Sequence, residues 1–343
     1  MKALVLHAPN TPFDLTDVPD PVAGPGEAVA RVFACGSGLT IQHFKAGRVP
    51  AVFPRIIGHE ICAEIVEVGA GVKSLEVGNI VTSYFYLNCG HCRMCVEDFQ
   101  PLCDNFGGFV GREIDGGYAE FIKLPERNFI RLPEGLDWQG QPAHVGVAMD
   151  ALATPYKVLR HARIRKGETV AVFGAGGGLG IHQVMMARWA GARVIAVDTK
   201  ASKFDACRNA GADEVVDASS VDVVDALMEL TGGAGVDAAV DYVSAKSTLE
   251  AGARALAKRG RLVTLGGAGE AFSLSARELL HKELAILGSR YVTPTEIRET
   301  YDLMSRGEVW PIVTEIRPME EAEELHELVE NGEVTGRAAL RIA

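Results

Sequence analysis

Residues 169–180 read TVAVFGAGGGLG, an apolar run that leads directly into a glycine-rich turn. The run at 169–173 predicts a buried strand, and the pattern at 179–190 predicts an amphipathic helix. Glycines at such a turn let the backbone approach a diphosphate, which the N–H groups at the helix start can bind. A strict G-x-G-x-x-G frame would begin at Ala175, so the motif is shifted, and a turn that serves only packing stays open as the alternative. The candidate diphosphate-binding residues are Gly174, Gly176, Gly177, Gly178, Leu179 and Gly180.

Asp198 ends the next apolar run, at 193–198. A carboxylate at this place accepts hydrogen bonds from the ribose hydroxyls of an adenosine and repels a 2′-phosphate, which favours NAD over NADP. Lys203, in the following predicted helix, would cover the adenine ribose. The alternative for Asp198 is a cap of that helix. The glycine turn and Asp198 together predict an NAD site.

Strands and helices alternate from about residue 150 to residue 287, as in the predicted helix at 247–257. This alternation is typical of parallel strands in βαβ units. Before residue 150, short apolar runs are separated by glycine and proline, which predicts a β-rich unit. We therefore expect an α/β fold in which a β-rich domain (1–152 and 288–343) encloses a doubly wound parallel-sheet domain (153–287). The site is expected in the cleft at the carboxyl ends of the parallel strands.

The composition excludes several classes of protein. Of 343 residues 48% are hydrophobic, and 45 acidic against 34 basic residues give a net charge of −11. A chain this acidic has no general attraction for nucleic acid or anionic lipid. No apolar run reaches the ~20 residues of a membrane-spanning helix, and the first residues lack the apolar core of a secretory signal. We expect a cytoplasmic protein that binds neither nucleic acid nor membranes.

Four of the seven cysteines lie close together, at Cys89, Cys92, Cys95 and Cys103. Thiolates at this spacing can surround one ion, because short loops turn successive sulfurs inward. A disulfide cluster is not expected in a reducing compartment. We predict a structural zinc lobe at about 88–104. An iron–sulfur cluster and four unrelated buried thiols are the alternatives.

Three further candidate ligands lie outside this lobe: Cys35 after a predicted strand, His59 in Gly58-His59-Glu60, and Asp150 before the doubly wound unit. Taken singly, they could be a buried thiol, a core histidine and a helix cap. Together with Cys35-Gly36-Ser37, the four-cysteine lobe, the glycine turn and Asp198, they resemble the zinc-containing alcohol dehydrogenases of the medium-chain dehydrogenase/reductase family. The resemblance covers essentially the whole chain.

The resemblance implies a GroES-like catalytic domain, a Rossmann NAD-binding domain and two zinc ions per chain, one structural and one catalytic. It implies that Cys35, His59 and Asp150 bind the catalytic zinc, with Glu60 as an alternative ligand. The open fourth position would take water or an alcohol. Zinc would lower the pKa of the alcohol, Ser37 would take its proton, and hydride would pass to the nicotinamide.

Two positions depart from the family pattern. The aspartate expected after Ser37 is Gly38, so another group must orient His59. The expected relay histidine is Thr40, whose hydroxyl is not a base near neutral pH. His43 could replace that histidine if the segment is helical, or it could be a surface residue.

The resemblance also implies that Phe85 lines the substrate cleft and that Arg337 pairs with the cofactor diphosphate. The alternatives are core packing for Phe85 and a solvated position for Arg337. The predicted function is hydride transfer between NAD and a primary or secondary alcohol, or its aldehyde or ketone. A reductase of enones or acyl thioesters and a non-catalytic NAD-binding regulator are the alternatives. The expected partners are a small alcohol or carbonyl substrate and further copies of the chain, as a dimer or tetramer.

Overall fold

Strands dominate the first part of the chain in this computed structural model, which describes residues 1–266 and 270–343. Met1–Ala153 and Val292–Ala343 form one unit, and Thr154–Tyr291 forms another. In residues 1–153 the strands are β1 (Lys2–Leu6), β2 (Asp14–Asp17), β3 (Glu27–Ser37), β4 (Arg55–Ile56), β5 (Glu60–Val68), β6 (Ile80–Ser83), β7 (Phe121–Pro125) and β8 (Phe129–Arg131). The helices there are α1 (Leu39–Lys45), α2 (Arg93–Val96) and α3 (Pro142–Ala151).

Helices and strands alternate in Thr154–Tyr291, as the sequence predicted. The helices are α4 (Ala153–His161), α5 (Gly180–Trp189), α6 (Phe204–Asn209), α7 (Val223–Leu230), α8 (Lys246–Arg254) and α9 (Ala276–Lys282). The strands are β9 (Thr169–Phe173), β10 (Arg193–Asp198), β11 (Glu214–Asp217), β12 (Val236–Asp241), β13 (Leu256–Thr264) and β14 (Ala285–Gly288). They pair in parallel in the order β11-β10-β9-β12-β13-β14. This is the order of a doubly wound sheet, which binds ligands at the carboxyl ends of β9 and β12.

Two details of this sheet follow from its packing. Apolar side chains of β9, β10, β12 and β13 form one core, and they include Phe173, Val197, Ala239 and Leu262. The helix predicted at 247–257 is shorter than expected, because Leu256 already pairs with Val236 of β12. Alanine-rich sequence favours a helix, but strand pairing overrides that preference.

No helix in the described residues has the length and apolar character needed to cross a membrane.

The last part of the chain returns to the first unit as α10 (Pro294–Ser305), β15 (Val313–Pro318), α11 (Ala322–Glu330) and β16 (Arg337–Arg341). The main sheet has the order β15-β16-β3-β5-β6-β8, with β7 also on β3. In the antiparallel register, Ala338 of β16 faces Ser37 of β3, and Gly36 of β3 faces Glu60 of β5. Three ends of strands therefore meet at one place, and they bring Cys35, Glu60 and Arg337 together.

Helix α3 packs directly on this sheet. Its small apolar residues form a buried cluster with the sheet, made of Ala34, Ala143, Val147, Ala151 and Ala339. Gly146 is needed at the contact, because a Cβ there would lie 2.8 Å from the carbonyl oxygen of Glu60 and 2.9 Å from the Cys62 nitrogen. This close approach brings Asp150, at the end of α3, to the start of β5.

Candidate active site

His59, Glu60 and Asp150 form a buried group of potential metal ligands. Their ligand atoms lie within 4.8 Å of one another, and each residue is 1–2% exposed. His59 directly precedes β5, Glu60 begins it, and Asp150 lies in the last turn of α3. One imidazole and two carboxylates are donors that zinc accepts.

The surroundings of the His59 ring show whether this group suits a metal. Both of its ring nitrogens are buried and lack a hydrogen-bond partner within residues 1–266 and 270–343. Burial lowers the pKa of His59 to about 4, although Asp150 acts in the opposite direction. The imidazole is therefore neutral and keeps a lone pair. An unpaired buried nitrogen is costly unless it binds something, so the residues fit a zinc ion.

Phe85 holds the ring of His59 in place. The two rings stack with their centroids 4.4 Å apart and their planes 15° apart. Phe85 itself is 1% exposed, and it also stacks on Phe109. Aromatic packing thus orients the histidine where Gly38 provides no carboxylate. The predicted role of Phe85 in the substrate cleft stays a prediction.

Cys35 lies beside this group and not within it. Among the described residues, the set whose ligand atoms are all within 4.8 Å of one another does not include its sulfur. A Cβ on Gly58 would lie 2.8 Å from Cys35 Sγ, so the residue before His59 must be small for the thiol to reach this position. Burial raises the pKa of the Cys35 thiol, and the nearby Glu60 raises it further. Metal binding by Cys35 stays a prediction.

Arg337 bridges the two carboxylates. Its Nε donates to Glu60 Oε2 at 3.1 Å, its Nη2 donates to Asp150 Oδ2 at 3.1 Å, and Nη2 also pairs with Glu60 Oε1. Burial raises the pKa of Glu60 to about 7, and the guanidinium acts against that rise. Arg337 is 6% exposed, so the alternative of a solvated arginine is wrong. The predicted contact with a diphosphate stays a prediction.

Gly38 makes room for this arginine. A Cβ on Gly38 would lie 2.6 Å from Cζ of Arg337. The guanidinium therefore lies against the position where the family pattern has an aspartate. Next to the candidate metal ligands, this chain has a buried cation in place of an anion.

We expect Gly38→Ala to lower the free energy of unfolding by about 1–3 kcal/mol, because the added methyl overlaps the buried guanidinium. Thermal unfolding measures the effect. Gly288→Ala is the matched control, since within residues 1–266 and 270–343 no heavy atom other than those of its chain neighbours lies within 4 Å of a Cβ at Gly288. Equal melting temperatures for the two variants would contradict a tight fit between Gly38 and Arg337.

The four-cysteine lobe has the dimensions of a metal site. The four sulfurs all lie within 4.8 Å of one another. Cys89 Sγ is 4.0 Å from Cys95 Sγ and 3.6 Å from Cys103 Sγ, and Cys92 Sγ is 3.8 Å from Cys103 Sγ. Sulfurs ~2.3 Å from one tetrahedral ion are ~3.8 Å apart. The alternative of four unrelated thiols is wrong, and an iron–sulfur cluster, in which thiolates bind different irons, would hold them farther apart.

Backbone and side-chain donors surround these sulfurs. The N–H of Cys92 donates to Cys89 Sγ at 3.3 Å, and Asn88 Nδ2 donates to Cys95 Sγ at 3.6 Å. Hydrogen bonds from His91, Cys92 and Asn105 lower the pKa of Cys89 to about 5. Donors that stabilise a thiolate are what a closed zinc site needs.

Cys95→Ser is expected to reduce zinc from about two ions per chain to about one and to lower the melting temperature, because a structural zinc contributes folding energy. Elemental analysis and thermal unfolding measure the two effects. Cys207→Ser, at a buried thiol in α6, is the control and should keep both ions. Unchanged zinc content in Cys95→Ser would contradict a four-thiolate site.

The glycine turn connects β9 to α5. Gly174 has a φ of +70°, which an L side chain rarely adopts, and a Cβ on Gly180 would overlap the carbonyl of Gly174. The N–H of Gly176 donates to Asp198 Oδ2 at 2.8 Å, which ties the turn to the end of β10. Lys203 covers Gly176, since a Cβ there would lie 2.6 Å from its Cδ.

Asp198 does not cap a helix. Its Oδ1 accepts from the N–H of Lys200 at 3.0 Å. The helical turn that follows begins at Ala201, has Lys200 as its N-cap and has no side-chain cap. The alternative role of Asp198 as a helix cap is therefore wrong.

Comparisons with known proteins agree with this geometry. Residues 24–134 match the alcohol dehydrogenase GroES-like domain, and residues 178–306 match the zinc-binding dehydrogenase family. An alcohol dehydrogenase of Geobacillus stearothermophilus is 32% identical over 347 residues, which cover 100% of this chain and 99% of that protein. The chain belongs to the zinc-containing alcohol dehydrogenase family. The family and the fold class predicted from the sequence are confirmed.

Further members of this alcohol dehydrogenase family resemble the whole chain. An NAD-dependent alcohol dehydrogenase of Sulfurisphaera tokodaii is 29% identical over 350 residues, 99% of each chain. The crystal structure of the alcohol dehydrogenase from the archaeon Aeropyrum pernix is 33% identical and superimposes with a TM-score of 0.90. That match covers 99% of this chain and 100% of the other.

The three candidate relay residues follow one another from the end of β3 into α1. Ser37 is 1% exposed at the end of β3, and Thr40 is half-buried in the first turn of α1. His43 accepts a hydrogen bond at Nδ1 from Arg48 Nε at 2.8 Å, and Arg48 in turn pairs with Glu330. Burial and then the charge of Arg48 lower the pKa of His43. This placement favours the alternative of a surface histidine.

Sequence reasoning missed two buried residues that contact Ser37 directly or through one neighbour. The hydroxyl of Tyr118 hydrogen-bonds to that of Ser37, and His326 Nε2 lies 2.9 Å from the Tyr118 hydroxyl. His326 falls in the acidic helix α11, on the buried face with Leu325 and Val329. The sequence signal that could have found His326 is a histidine at a position of the helix where an apolar residue is expected.

Proposed function

We propose that this chain is a zinc-dependent oxidoreductase that transfers a hydride between NAD and a primary or secondary alcohol, or its aldehyde or ketone. The observation that carries the proposal is the buried group of His59, Glu60 and Asp150, in which the imidazole has no hydrogen-bond partner among the described residues. Family membership and the relatives named as NAD-dependent alcohol dehydrogenases support the same function.

The chain's own residues divide the work at this site. His59, Asp150 and Cys35 would hold the catalytic zinc, with Glu60 as the alternative carboxylate. When bound, zinc supplies a Lewis acid that lowers the pKa of the substrate hydroxyl. Ser37 accepts the proton that the hydroxyl loses. Phe85 keeps the imidazole plane fixed, and Arg337 holds the two carboxylates in place.

The NAD site is proposed at the glycine turn. The N–H groups of residues 174–177 donate hydrogen bonds within the fold. The backbone N–H groups of residues 178–180 and the start of α5 would therefore bind the diphosphate, and Asp198 would accept from the adenosine ribose hydroxyls. The bond from Gly176 to Asp198 supports this, because it fixes the carboxylate next to the turn. We propose 1–152 with 288–343 as the catalytic domain, 153–287 as the NAD-binding domain, and a cytoplasmic homo-oligomer as the working form.

Zinc content and turnover test the proposal together. Elemental analysis should find two zinc ions per chain. A panel of aliphatic, aromatic and cyclic alcohols, followed by nicotinamide absorbance with NAD and with NADP, should show turnover with NAD. One zinc ion and no turnover of any alcohol or carbonyl would instead favour a non-catalytic NAD-binding protein.

A further inference from the structure

A chain of buried hydrogen bonds leads away from Ser37. The Ser37 hydroxyl bonds to the Tyr118 hydroxyl, Tyr118 bonds to His326 Nε2 at 2.9 Å, and His326 Nδ1 bonds to Gln42 Oε1 at 2.7 Å. The four side chains are 1%, 0%, 1% and 7% exposed, in that order. Phe13 packs edge-on against the rings of both Tyr118 and His326. This series of hydrogen bonds is therefore enclosed within the protein and held in place by packing.

The direction of these bonds follows from the acceptor at the far end. Gln42 presents its Oε1 to His326 Nδ1, and its side chain also lowers the pKa of the Glu330 carboxylate. A carboxylate only accepts, so the amide nitrogen is the end of Gln42 that faces Glu330, and the oxygen faces His326. His326 must then carry its proton on Nδ1 and accept at Nε2 from Tyr118, whose oxygen accepts from Ser37. Burial and the charge of Lys45 lower the pKa of His326 to about 3, which keeps the ring neutral and Nε2 able to accept.

The series of hydrogen bonds ends, at His326 and Gln42, beside a cavity. His326 and Gln42 line a cavity of about 310 Å³ at the faces of α1 and α11, together with Lys45, Glu323 and Glu330. The side chains of Glu323 and Glu330 are 41% and 39% exposed. A polar cavity of this size holds water. It connects the buried histidine with solvent.

We propose that Tyr118 and His326 carry the substrate proton from Ser37 to this cavity during alcohol oxidation. The inference rests on the proposed function. Neither residue touches the substrate, so both act through Ser37. They take the place of the relay histidine, whose position is Thr40 in this chain. His43 is instead hydrogen-bonded to Arg48.

The proposed reaction accounts for the hydride and for each proton. The C–H electron pair leaves with its hydrogen as hydride to NAD, and the O–H proton passes to Ser37 Oγ. The proton of Ser37 passes to the Tyr118 oxygen, and the proton of Tyr118 passes to His326 Nε2. The bond from Nδ1 to Gln42 Oε1 then opens, and the imidazolium gives its Nδ1 proton to water in the cavity. Hydroxyl rotation with ring-proton exchange restores the starting pattern. In carbonyl reduction each transfer is reversed.

The kinetic test compares His326→Gln and Tyr118→Phe with His7→Gln, a control at an exposed histidine paired with Asp14. We expect kcat for alcohol oxidation to fall about 10²-fold in the first two variants, the contribution of a positioned proton acceptor, with KM within about threefold. In His326→Gln, kcat should rise with the concentration of a non-chelating amine–sulfonate buffer at constant pH, because an external base replaces the relay. A wild-type kcat, or a loss without buffer dependence, would overturn the proposal.

A second measurement needs no turnover. In ¹⁵N-histidine spectra of the wild-type protein, His326 should be the Nδ1-protonated tautomer, and Tyr118→Phe should shift its Nε2 resonance by removing a hydrogen bond. A proton on Nε2, or a spectrum indifferent to Tyr118→Phe, would overturn the relay. Absence of turnover in the wild type with every alcohol would count against the proposed function instead, so the two failures are distinguishable.

Discussion

His59→Ala should reduce alcohol oxidation by at least ~10³-fold, while the affinity for NAD changes by less than about threefold. The reason lies in the ring nitrogens of His59, which have no hydrogen-bond partner among the described residues. One of them lies within 4.8 Å of a carboxylate oxygen of Glu60 and of Asp150. The substitution removes the proposed nitrogen ligand of the zinc and leaves Arg337 to neutralise the carboxylates alone. The glycine turn, where we propose that NAD binds, belongs to the other unit of the chain, so we expect the affinity for NAD to change little.

Three measurements separate the effects of this substitution. Nicotinamide absorbance gives kcat/KM, fluorescence titration gives the affinity for NAD, and elemental analysis should show about one zinc ion fewer per chain. His144→Ala is the matched control, because His144 is a partly buried histidine of α3 outside the metal group. Its activity should stay within a few-fold of wild type. A parallel loss of NAD affinity in His59→Ala would contradict the separation of metal and cofactor sites.

The sequence predicts the doubly wound unit well because its signals are local. The apolar runs at 169–173 and 193–198 are the strands β9 and β10, and the helix predicted at 179–190 is α5 at Gly180–Trp189. Each signal needs only a few neighbouring residues to be read. The helix predicted at 247–257 is present as α8 but ends early, at Arg254, because the long-range pairing of Leu256 with Val236 begins β13.

In the candidate site, too, the sequence predicts the residues that stand in short motifs and misses those that long-range contacts bring in. His59 and the four clustered cysteines stand in short motifs, so residue spacing alone points to them. Arg337 reaches Glu60 only because β16 pairs with β3 and β3 with β5, and no motif encodes that register. Tyr118 and His326 are 208 positions apart in the chain. Their contact depends on where α11 packs, which the sequence pattern does not specify.

Asp198→Ala is expected to abolish the preference for NAD. In the proposed NAD site, the wild-type carboxylate would accept from the ribose hydroxyls and repel a 2′-phosphate, and in a partly desolvated site this should favour NAD by about a hundredfold or more. The substitution removes attraction and repulsion together. Efficiency with NAD should therefore fall while efficiency with NADP rises. Lys200 and Lys203 follow closely in the sequence and would then face the 2′-phosphate without a competing anion.

Asp217→Ala is the matched control for this last substitution. Asp217 pairs with Asp198 across β10 and β11, so it is an aspartate at the same end of the neighbouring strand. Its carboxylate accepts from Ser219 and not from the glycine turn, whereas Asp198 accepts from Gly176. Both variants lose one negative charge at this edge of the sheet, and only Asp198→Ala should change the ratio of kcat/KM for NAD and NADP. Equal ratios in both variants and the wild type would mean that the Asp198 carboxylate serves only to brace the turn through Gly176.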